Sequence, residues 1–304
     1  MSQSILVLNA GSSSIKFAVF RIDGAEPGER FVSGQVTGIR ETPQLVVADP
    51  RGKRSAPLRM AAAASAGEAP ARALDALLDW LESELADVRL AAVGHRVVHG
   101  GERFTAPVRI DAAVIRALQA LVPIARLHQP YEIEAICALQ ARKPDLPQVA
   151  CFDTAFHRTL PTVAQLYPLE RAIIDSGVRR FGFHGLSYAY IATRLPELFA
   201  RSPTAPDRAR VVVAHLGSGS SLCALEGGRS IATTMGFTAL DGLMMATRAG
   251  SIDPGILLYL MQERGMSVDE LSDMLYHRSG LLGVSGISAN MSELIDCPDP
   301  HARE

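Results

Sequence analysis

The chain has 304 residues, of which 48% are hydrophobic and 20% are charged. This composition excludes an intrinsically disordered protein and is sufficient for two ordinary globular domains. The formal net charge of −2 predicts no general attraction to nucleic acid or to anionic membranes. Because charged residues interrupt the apolar stretches and no basic segment opens the chain, we expect a cytoplasmic protein with neither a membrane span nor a signal peptide.

The first predicted element is a β-hairpin over residues 5–20. An apolar run leads into Asn9, a turn of glycine and serine follows at 11–14, and apolar residues then alternate from Ile15. This is the pattern of strand, turn and strand, and it lacks the P-loop spacing in which Gly-Lys-Ser/Thr opens a helix. The N–H groups and hydroxyls of such a turn can bind phosphate oxygens, with Lys16 as an added charge. An ordinary polar hairpin would have the same pattern.

The rest of the first half predicts a mixed α/β domain. Apolar side chains at helical spacing predict an amphipathic helix at 69–85, and residues 50–70 are expected to form a surface loop. Asp111 is expected to cap a helix that ends at residue 121, and Pro130 to open another that runs to about residue 141. Further strands are expected at 31–39, 44–48, 91–98 and 148–153.

A second hairpin of the same kind lies at residues 211–225 and makes an internal repeat. Superposition of the two patterns pairs His215 with Asn9, Gly217 with Gly11, Ser218 with Ser12, and Ser220 with Ser14. The elements predicted around it are a strand end at 180–184, a helix at 186–199, a polar connector at 203–210, a strand at 229–234, helices beginning at Pro254 and Val268, and a polar loop at 297–304. Two such hairpins indicate two similar domains, which we expect at residues 1–150 and 151–304. This plan resembles that of the actin, sugar-kinase and Hsp70-ATPase superfamily.

Two arginines stand nearly alone in apolar, glycine-rich segments. Arg96 lies in residues 94–101, at the end of a predicted strand, and Arg248 lies in residues 234–253. A buried guanidinium needs an anionic partner, because burying its charge unpaired is expensive. A structural salt bridge and a ligand contact would each satisfy that need, so both interpretations stay open for each arginine.

One carboxylate and two histidines occupy comparable positions. Asp153 ends a predicted strand, which is where open α/β sheets bind their ligands. His184, between phenylalanine and glycine, and His128, before Gln-Pro, could each be a core or a functional histidine. His95 and His99 are expected to be structural, and the four cysteines lack the paired spacing of a zinc or redox motif. The cysteines are Cys137, Cys151, Cys223 and Cys297.

Six motifs together resemble the acetate kinase family, which comprises acetate, propionate and butyrate kinases. They are Asn-Ala-Gly-Ser-Ser-Ser-Ile-Lys, Gly-His-Arg-Val-Val-His-Gly-Gly, Phe-Asp-Thr-Ala-Phe-His, Phe-Gly-Phe-His-Gly, His-Leu-Gly-Ser-Gly, and Thr-Met-Gly-Phe-Thr-Ala-Leu-Asp-Gly with Thr-Arg. They occur in the family's order and span nearly the whole chain.

The resemblance implies the α/β class and the duplicated actin-like ATPase fold, with two similar domains around a nucleotide cleft. It also implies transfer of the γ-phosphoryl group of ATP to acetate, with Mg²⁺ required and a homodimer as the assembly. Phosphoryl transfer requires positioning and charge neutralisation rather than covalent catalysis. A carboxylate nucleophile is already ionised at neutral pH, so no strong general base is needed.

The resemblance assigns a role to each matched residue. Arg96 and Arg248 would hold the carboxylate and the transferring phosphoryl group. His184 would donate a hydrogen bond to the phosphoryl oxygens with support from His128, and Asp153 would organise Mg²⁺ through water. The implied binding residues are Asn9 for the metal; Ser12, Ser14, Lys16, His215, Leu216, Gly217, Ser218 and Gly219 for the phosphates of ATP; and Val98, Leu127, Phe183 and Ala239, beside Arg96, for the acyl group.

The chain also departs from the family pattern. Ser218 replaces an asparagine, Gln129 stands in a His-Gln-Pro that is usually His-Asn-Pro, and Asn290 and Ser292 stand where Asp-x-Arg is usual. Ala239 occupies a position that is often proline, so we expect a roomier acyl pocket that accepts propionate. The family continues beyond the position of residue 304, and we expect this 304-residue form to bind ATP weakly and to turn over little.

Two other functions stay open on the sequence. One is a non-catalytic actin-like nucleotide-binding protein, which the substitutions at Asn290 and Ser292 favour. The other is a different actin-like phosphotransferase such as a sugar kinase, which the two arginines disfavour because they suit a carboxylate better than a neutral sugar.

Overall fold

The structure, a computed structural model, describes residues 2–11, 13–24, 26–39, 41–50, 52–58, 69–84, 88–200 and 205–304. The chain divides into two compact units, Met1–Ala155 and Phe156–Glu304, and each is described by itself. A boundary after residue 150, as the sequence suggested, would cut the strand Gln148–Phe152, which pairs inside the first unit. The sequence-based assignment of residues 1–150 and 151–304 as domains stays a prediction.

The first unit is built on one eight-stranded mixed sheet. Its described elements are β1 (Ser2–Ala10), β2 (Ser14–Asp23), β3 (Glu26–Thr37), β4 (Gln44–Asp49), β5 (Gly52–Pro57), α1 (Ala69–Glu84), β6 (Val88–Val97), β7 (Val108–Arg109), α2 (Ala112–Ala120), α3 (Gln129–Arg142) and β8 (Gln148–Phe152). The strand order is β5-β4-β3-β2-β1-β6-β8-β7. β1 and β2 form the predicted antiparallel hairpin, whereas β1, β6 and β8 run parallel.

Helix α1 covers the sheet with an apolar stripe at helical spacing. Its buried residues include Ala73, Leu74, Leu77, Leu78 and Leu81. They pack into one core with the inward side chains of β1, β2 and β3. The predicted helix is therefore confirmed over Ala69–Glu84, and burial of the apolar stripe explains why this segment is helical.

The helix caps were predictable and one loop was not. The side chain of Asp111 accepts a hydrogen bond from the N–H of Val114 at 2.8 Å, as expected for a cap of α2. Pro130 lies in the first turn of α3. The loop expected over residues 50–70 is wrong at Gly52–Pro57, which forms the edge strand β5 against β4. Residues 59–68 lie outside the described part.

The second unit contains a three-stranded antiparallel sheet in the order β11-β10-β9. Its strands are β9 (Arg210–His215), β10 (Ser221–Glu226) and β11 (Arg229–Thr233), and its helices are α4 (Thr162–Gln165), α5 (Arg171–Asp175), α6 (Gly185–Leu198), α7 (Pro254–Gln262), α8 (Val268–His277), α9 (Gly280–Ser285) and α10 (Met291–Leu294). The predicted second hairpin is confirmed as β9–β10, with His215 opposite Ser221. The helices expected from Pro254 and Val268 are confirmed as well.

Two predictions for this unit were wrong or incomplete. Residues 180–184 are not a strand; they form a loop in which the N–H groups of Phe181 and Gly182 both donate to the carbonyl of Gly236. The tail ends in a short 3-10 turn, Pro300–Arg303. Across the described ranges, no helix combines the length and apolar character needed to cross a bilayer.

Candidate active site

In the first unit, three predicted residues meet where parallel strands end. Arg96 is near the end of β6, Asp153 directly follows β8, and Asn9 is near the end of β1. The Nε of Arg96 donates to both carboxylate oxygens of Asp153 at 3.1 Å, and its Nη2 donates to Oδ2 at 2.6 Å. Its Nη1 donates to Oδ1 of Asn9 at 3.2 Å. The carboxyl ends of parallel strands share one edge of the sheet, and this brings the three side chains together.

Burial strengthens the contact between Arg96 and Asp153. The Asp153 side chain is only 1% exposed, whereas that of Arg96 is 29% exposed. Burial by itself lowers the pKa of Arg96, the charge and hydrogen bonds of Asp153 act in the opposite direction, and the pKa is raised overall. The ion pair is thus held in one geometry with part of the guanidinium open to a ligand.

The first hairpin turn lies beside this group. Asn9 is directly opposite Lys16 in the β1–β2 register, so their side chains share a face of the sheet. The N–H of Gly11 donates to the carbonyl of Ser14 at 2.9 Å and closes the turn. Lys16 is exposed. Ser12 lies outside the described residues, so its predicted phosphate contact stays a prediction.

Glu132 is a buried carboxyl group beside the Arg96–Asp153 pair, and the sequence analysis missed it. Its Oε2 accepts a hydrogen bond from the N–H of Val98 at 3.0 Å. Burial raises its pKa to about 8, although the Val98 N–H and the charge of Arg96 act in the opposite direction. The residue lies in the first turn of α3, where an acidic side chain ordinarily complements the helix dipole. Because an acidic residue at this position is common, the sequence pattern did not indicate that Glu132 lies beside the ion pair.

The other predicted residues of the first unit surround the start of α3 and the end of β6. His128 immediately precedes α3, and its side chain does not cap the helix. Leu127 is exposed and Val98 is buried. The remaining two acyl-pocket candidates, Phe183 and Ala239, belong to the second unit, so the acyl pocket stays a prediction.

His95 and His99 are buried, and both have structural contacts. The Nε2 of His95 hydrogen-bonds the side-chain oxygen of Gln148 at 2.7 Å, and the Nδ1 of His99 accepts from the N–H of Gly101 at 2.9 Å. Burial lowers the pKa of each to about 4. Both rings are therefore neutral at physiological pH, in agreement with the structural role expected for them.

In the second unit, His184 occupies the turn that leads into α6. Its φ is 60°, and among the described residues it is the non-glycine residue with a positive φ. A residue with a side chain adopts this left-handed conformation at a cost in free energy that local contacts must offset. Its Nδ1 lies 2.8 Å from Oγ of Ser221. Its ring stacks on that of His215 with centroids 4.0 Å apart. The Nδ1 of His215 in turn contacts Oγ of Ser187 at 3.0 Å.

The second glycine-serine turn converges with His184 and Arg248. A methyl group added at Gly219 would lie 3.5 Å from Nε2 of His184 and 3.8 Å from Nη1 of Arg248. The carbonyl of Ser218 accepts from the N–H of Ala246 at 3.3 Å, which ties the turn to the Arg248 loop. Leu216 and Gly217 are exposed at the start of the turn. The predicted phosphate turn and two predicted catalytic residues of this unit thus form one cluster.

The loop that carries Ala239 is held by the predicted residue Arg248 and by two residues that the sequence did not single out, Arg180 and Tyr167. Arg248 donates from Nη1 to the carbonyl of Ala239 at 3.0 Å. Arg180 donates to the carbonyl of Met235 at 3.0 Å, and the hydroxyl of Tyr167 accepts from the N–H of Phe237 at 2.9 Å. The contacts of Arg180 and Tyr167 join residues 55 and 70 positions apart in sequence, so no local pattern indicated these two residues.

His157 is a further buried residue without an assigned role. Its Nε2 lies 2.9 Å from the carbonyl of Phe183, and its Nδ1 lies 2.8 Å from Oγ of Ser230. Because the carbonyl can only accept, Nε2 carries a proton and donates to it. His157 therefore fixes the backbone immediately before His184.

These features define the class of protein: a mixed α/β protein with the actin-like ATPase fold and two glycine-serine hairpin turns. The chain belongs to the acetokinase family, whose profile matches residues 4–304.

Related proteins agree with this membership. The acetate kinase of Rhodopseudomonas palustris is 49% identical over 305 residues, which cover 100% of this chain and 75% of that protein. A propionate kinase from Francisella tularensis superposes with a TM-score of 0.87 at 37% identity, covering 100% of this chain and 76% of the other. The acetate kinase of Porphyromonas gingivalis has a TM-score of 0.83 at 32% identity, with 99% and 75% covered.

Proposed function

We propose that this chain transfers the γ-phosphoryl group of ATP reversibly to acetate, giving acetyl phosphate and ADP. The reaction requires little covalent chemistry from the protein, because acetate is already an ionised nucleophile at neutral pH. What it requires is positioning of two anions and neutralisation of the charge that develops between them.

The observation that carries the proposal is the geometry of Arg96. A guanidinium has five N–H donors, and within the described residues Asp153 and Asn9 engage one N–H on each of its three nitrogens. One N–H therefore remains on each Nη for a substrate carboxylate. Since Asp153 fixes the guanidinium plane, this planar pair of donors is preorganised for acetate.

The second unit supplies donors suited to phosphoryl oxygens. His184 and Arg248 flank Gly219 in the turn from His215 to Gly219, and the N–H of Gly217 in this turn donates to Oγ of Ser220 at 3.2 Å. Neutral and charged donors directed at one place stabilise the equatorial oxygens of a phosphoryl group in transfer. We assign this role to His184 and Arg248, and the binding of the ATP phosphates to the turn.

The donor set of the first unit fits Mg²⁺ held mainly by water and nucleotide. No cluster of three or more His, Cys, Asp or Glu side chains occurs among the described residues, which argues against an all-protein cage. Mg²⁺ prefers oxygen ligands and usually keeps several waters, with one or two protein groups and substrate phosphates. The oxygens of Asp153 and Asn9 meet that description, and the ion would neutralise phosphate charge when bound.

Trapping the product tests the proposal directly. Purified chain is incubated with ATP, Mg²⁺ and a panel of short carboxylates, and acyl phosphate is captured with hydroxylamine as the hydroxamate. We expect ATP-dependent hydroxamate with acetate, formed at the low turnover predicted from the sequence, and a strong further reduction in Arg248→Ala. Arg171→Ala serves as the matched control, because Arg171 is an exposed arginine of the same unit.

Binding without product would overturn the proposal. If ATP binds but no carboxylate yields hydroxamate, the chain is a non-catalytic nucleotide-binding protein. If no hydroxamate forms but the chain consumes ATP when a sugar is added, the chain is a different phosphotransferase.

A further inference from the structure

Three side chains in the second unit form a continuous hydrogen-bonded series that ends on His184. The hydroxyl of Tyr188, on α6, lies 2.5 Å from Oγ of Ser221, on β10. The same Oγ lies 2.8 Å from Nδ1 of His184. Tyr188 and Ser221 are both fully buried, so the series is sealed from solvent beneath the imidazole.

The direction of the protons along this series follows from its members. Within the part of the chain that the structure describes, Ser221 Oγ is the acceptor that the Tyr188 hydroxyl meets. Burial raises the pKa of Tyr188 to about 12, so the phenol is protonated at neutral pH, and a proton directed at this acceptor makes Tyr188 the donor. A serine hydroxyl has one proton to donate, and with Tyr188 as donor to its oxygen that proton points to Nδ1 of His184.

An imidazole that accepts at Nδ1 carries its proton on Nε2 when it is neutral. Nε2 of His184 is the nitrogen that faces Gly219, since a methyl group added there would lie 3.5 Å from it. The buried series thus selects the tautomer whose N–H is directed at the glycine-serine turn. The left-handed backbone of His184 places the ring where this series can reach it.

We propose that Ser221 and Tyr188 are positioning residues that hold His184 with its proton on Nε2, ready to donate to an oxygen of the bound phosphoryl group. The inference rests on the proposed function for the identity of the acceptor, whereas the tautomer itself is a property of the chain without substrate. Neither residue touches the reacting atoms, and both act through the ring of His184.

The tautomer is measured by nuclear magnetic resonance on the chain labelled with ¹⁵N-histidine. Long-range proton–nitrogen correlations distinguish a ring protonated at Nε2 from one protonated at Nδ1, and His184→Gln identifies the signal. We expect the Nε2–H form in the wild type and a growing Nδ1–H population in Ser221→Ala. Tyr188→Phe, which removes one oxygen atom and keeps the buried ring, should shift the signal in the same direction.

Kinetics of acetyl phosphate formation provide the second readout. Loss of a partner that orients a metal-ligating histidine costs about 10- to 100-fold, and by analogy we expect kcat to fall by a similar factor in Ser221→Ala with little change in the KM values. Tyr188→Phe should lower kcat by a smaller factor. In the Ser221→Ala background Tyr188→Phe should have little further effect on kcat, because Tyr188 acts on His184 through Ser221. Tyr190→Phe is the matched control, because Tyr190 is two residues along α6 and 63% exposed.

The two readouts separate the two claims. A wild-type ring protonated at Nδ1, or a tautomer and kcat unchanged in both Tyr188→Phe and Ser221→Ala, would refute the positioning role. An inactive wild type would contradict the proposed function, and the tautomer measurement would still decide whether Ser221 and Tyr188 set the proton of His184.

Discussion

Replacing Glu132 with glutamine should change how the stability of the first unit depends on pH. Glutamine has the shape of the protonated acid, and its carbonyl can still accept the hydrogen bond from the N–H of Val98. It cannot ionise. The difference between wild type and variant therefore isolates the free energy of charging this one buried group, which faces the charged side chains of Arg96 and Asp153.

The sign and size follow from linkage. The folded-state pKa of Glu132 is about 8, above the value of about 4.3 for an unfolded chain. A raised acid pKa contributes stability that is fully present below about pH 4.3 and is lost as the pH rises towards 8. The loss is about 1.4 kcal/mol per pH unit within this window. Between pH 5 and pH 7 the wild type should therefore lose about 3 kcal/mol relative to Glu132→Gln.

Trp80 makes the measurement specific to the first unit. It is the single tryptophan of the chain, and its ring lies 6.0 Å from that of Phe17 in the core of this unit. Urea unfolding followed by its fluorescence at pH 5, 6, 7 and 8 gives the free energy of unfolding for both proteins. Glu41→Gln, at an exposed position, is the control and should run parallel to the wild type.

Parallel pH profiles for wild type and Glu132→Gln would refute this reasoning. They would mean that the N–H of Val98 and the charge of Arg96 stabilise the ionised carboxylate as well as water does. A profile that converges at high pH instead of low pH would mean that the pKa is depressed, which is the opposite sign.

Three further predictions concern the reaction. Arg248→Ala should lower kcat/KM by about 10²- to 10³-fold, the cost of losing a donor to transition-state charge. Lysine at position 96 should restore little of the activity lost in Arg96→Ala, because an ammonium cannot contact both Asp153 and a substrate carboxylate as the planar guanidinium does. Near-normal turnover in Arg248→Ala or in Arg96→Lys would contradict the role of that arginine. Propionate should be used within about tenfold of acetate if Ala239 leaves a roomier acyl pocket, since one methylene changes discrimination by about 1–3 kcal/mol. A propionate kcat/KM thousands-fold below that of acetate would show that this position does not control substrate size.

Local patterns predicted the elements and the ends of the parallel strands. The hairpins, the helix α1 and the cap at Asp111 all depend on residues close in sequence, and the structure confirms them. The edge strand β5 was missed, because an exposed strand of mixed polar residues has no apolar alternation to reveal it. Residues 180–184 looked like a strand end, but their backbone is held by the carbonyl of Gly236, which lies far away in sequence.

The residues of the candidate site also include some that local sequence patterns predicted and some that they did not. Arg96 and Asp153 were selected because each ends a strand, and a parallel arrangement of β6 and β8 was enough to join them. Glu132 and Tyr188 were not selected, because on a helix each looks like an ordinary dipole-complementing or core residue. Their importance comes from the atoms opposite them on other elements, and no one-dimensional pattern contains that information.

The carboxyl group of Glu132 should affect the binding of acetate as well as the stability of the first unit. Below about pH 8, Glu132 is neutral, and the pair of Arg96 and Asp153 balances to zero charge, so an incoming carboxylate meets no net repulsion. Ionised Glu132 would add a negative charge beside Arg96 within a poorly solvated region, and like charges at such range weaken anion binding. We therefore expect the KM for acetate to rise as the pH passes about 8 in the wild type and to stay level in Glu132→Gln. Steady-state kinetics of hydroxamate formation from pH 6 to 9 measure this, and a rise of equal size in both proteins would assign the effect to another group.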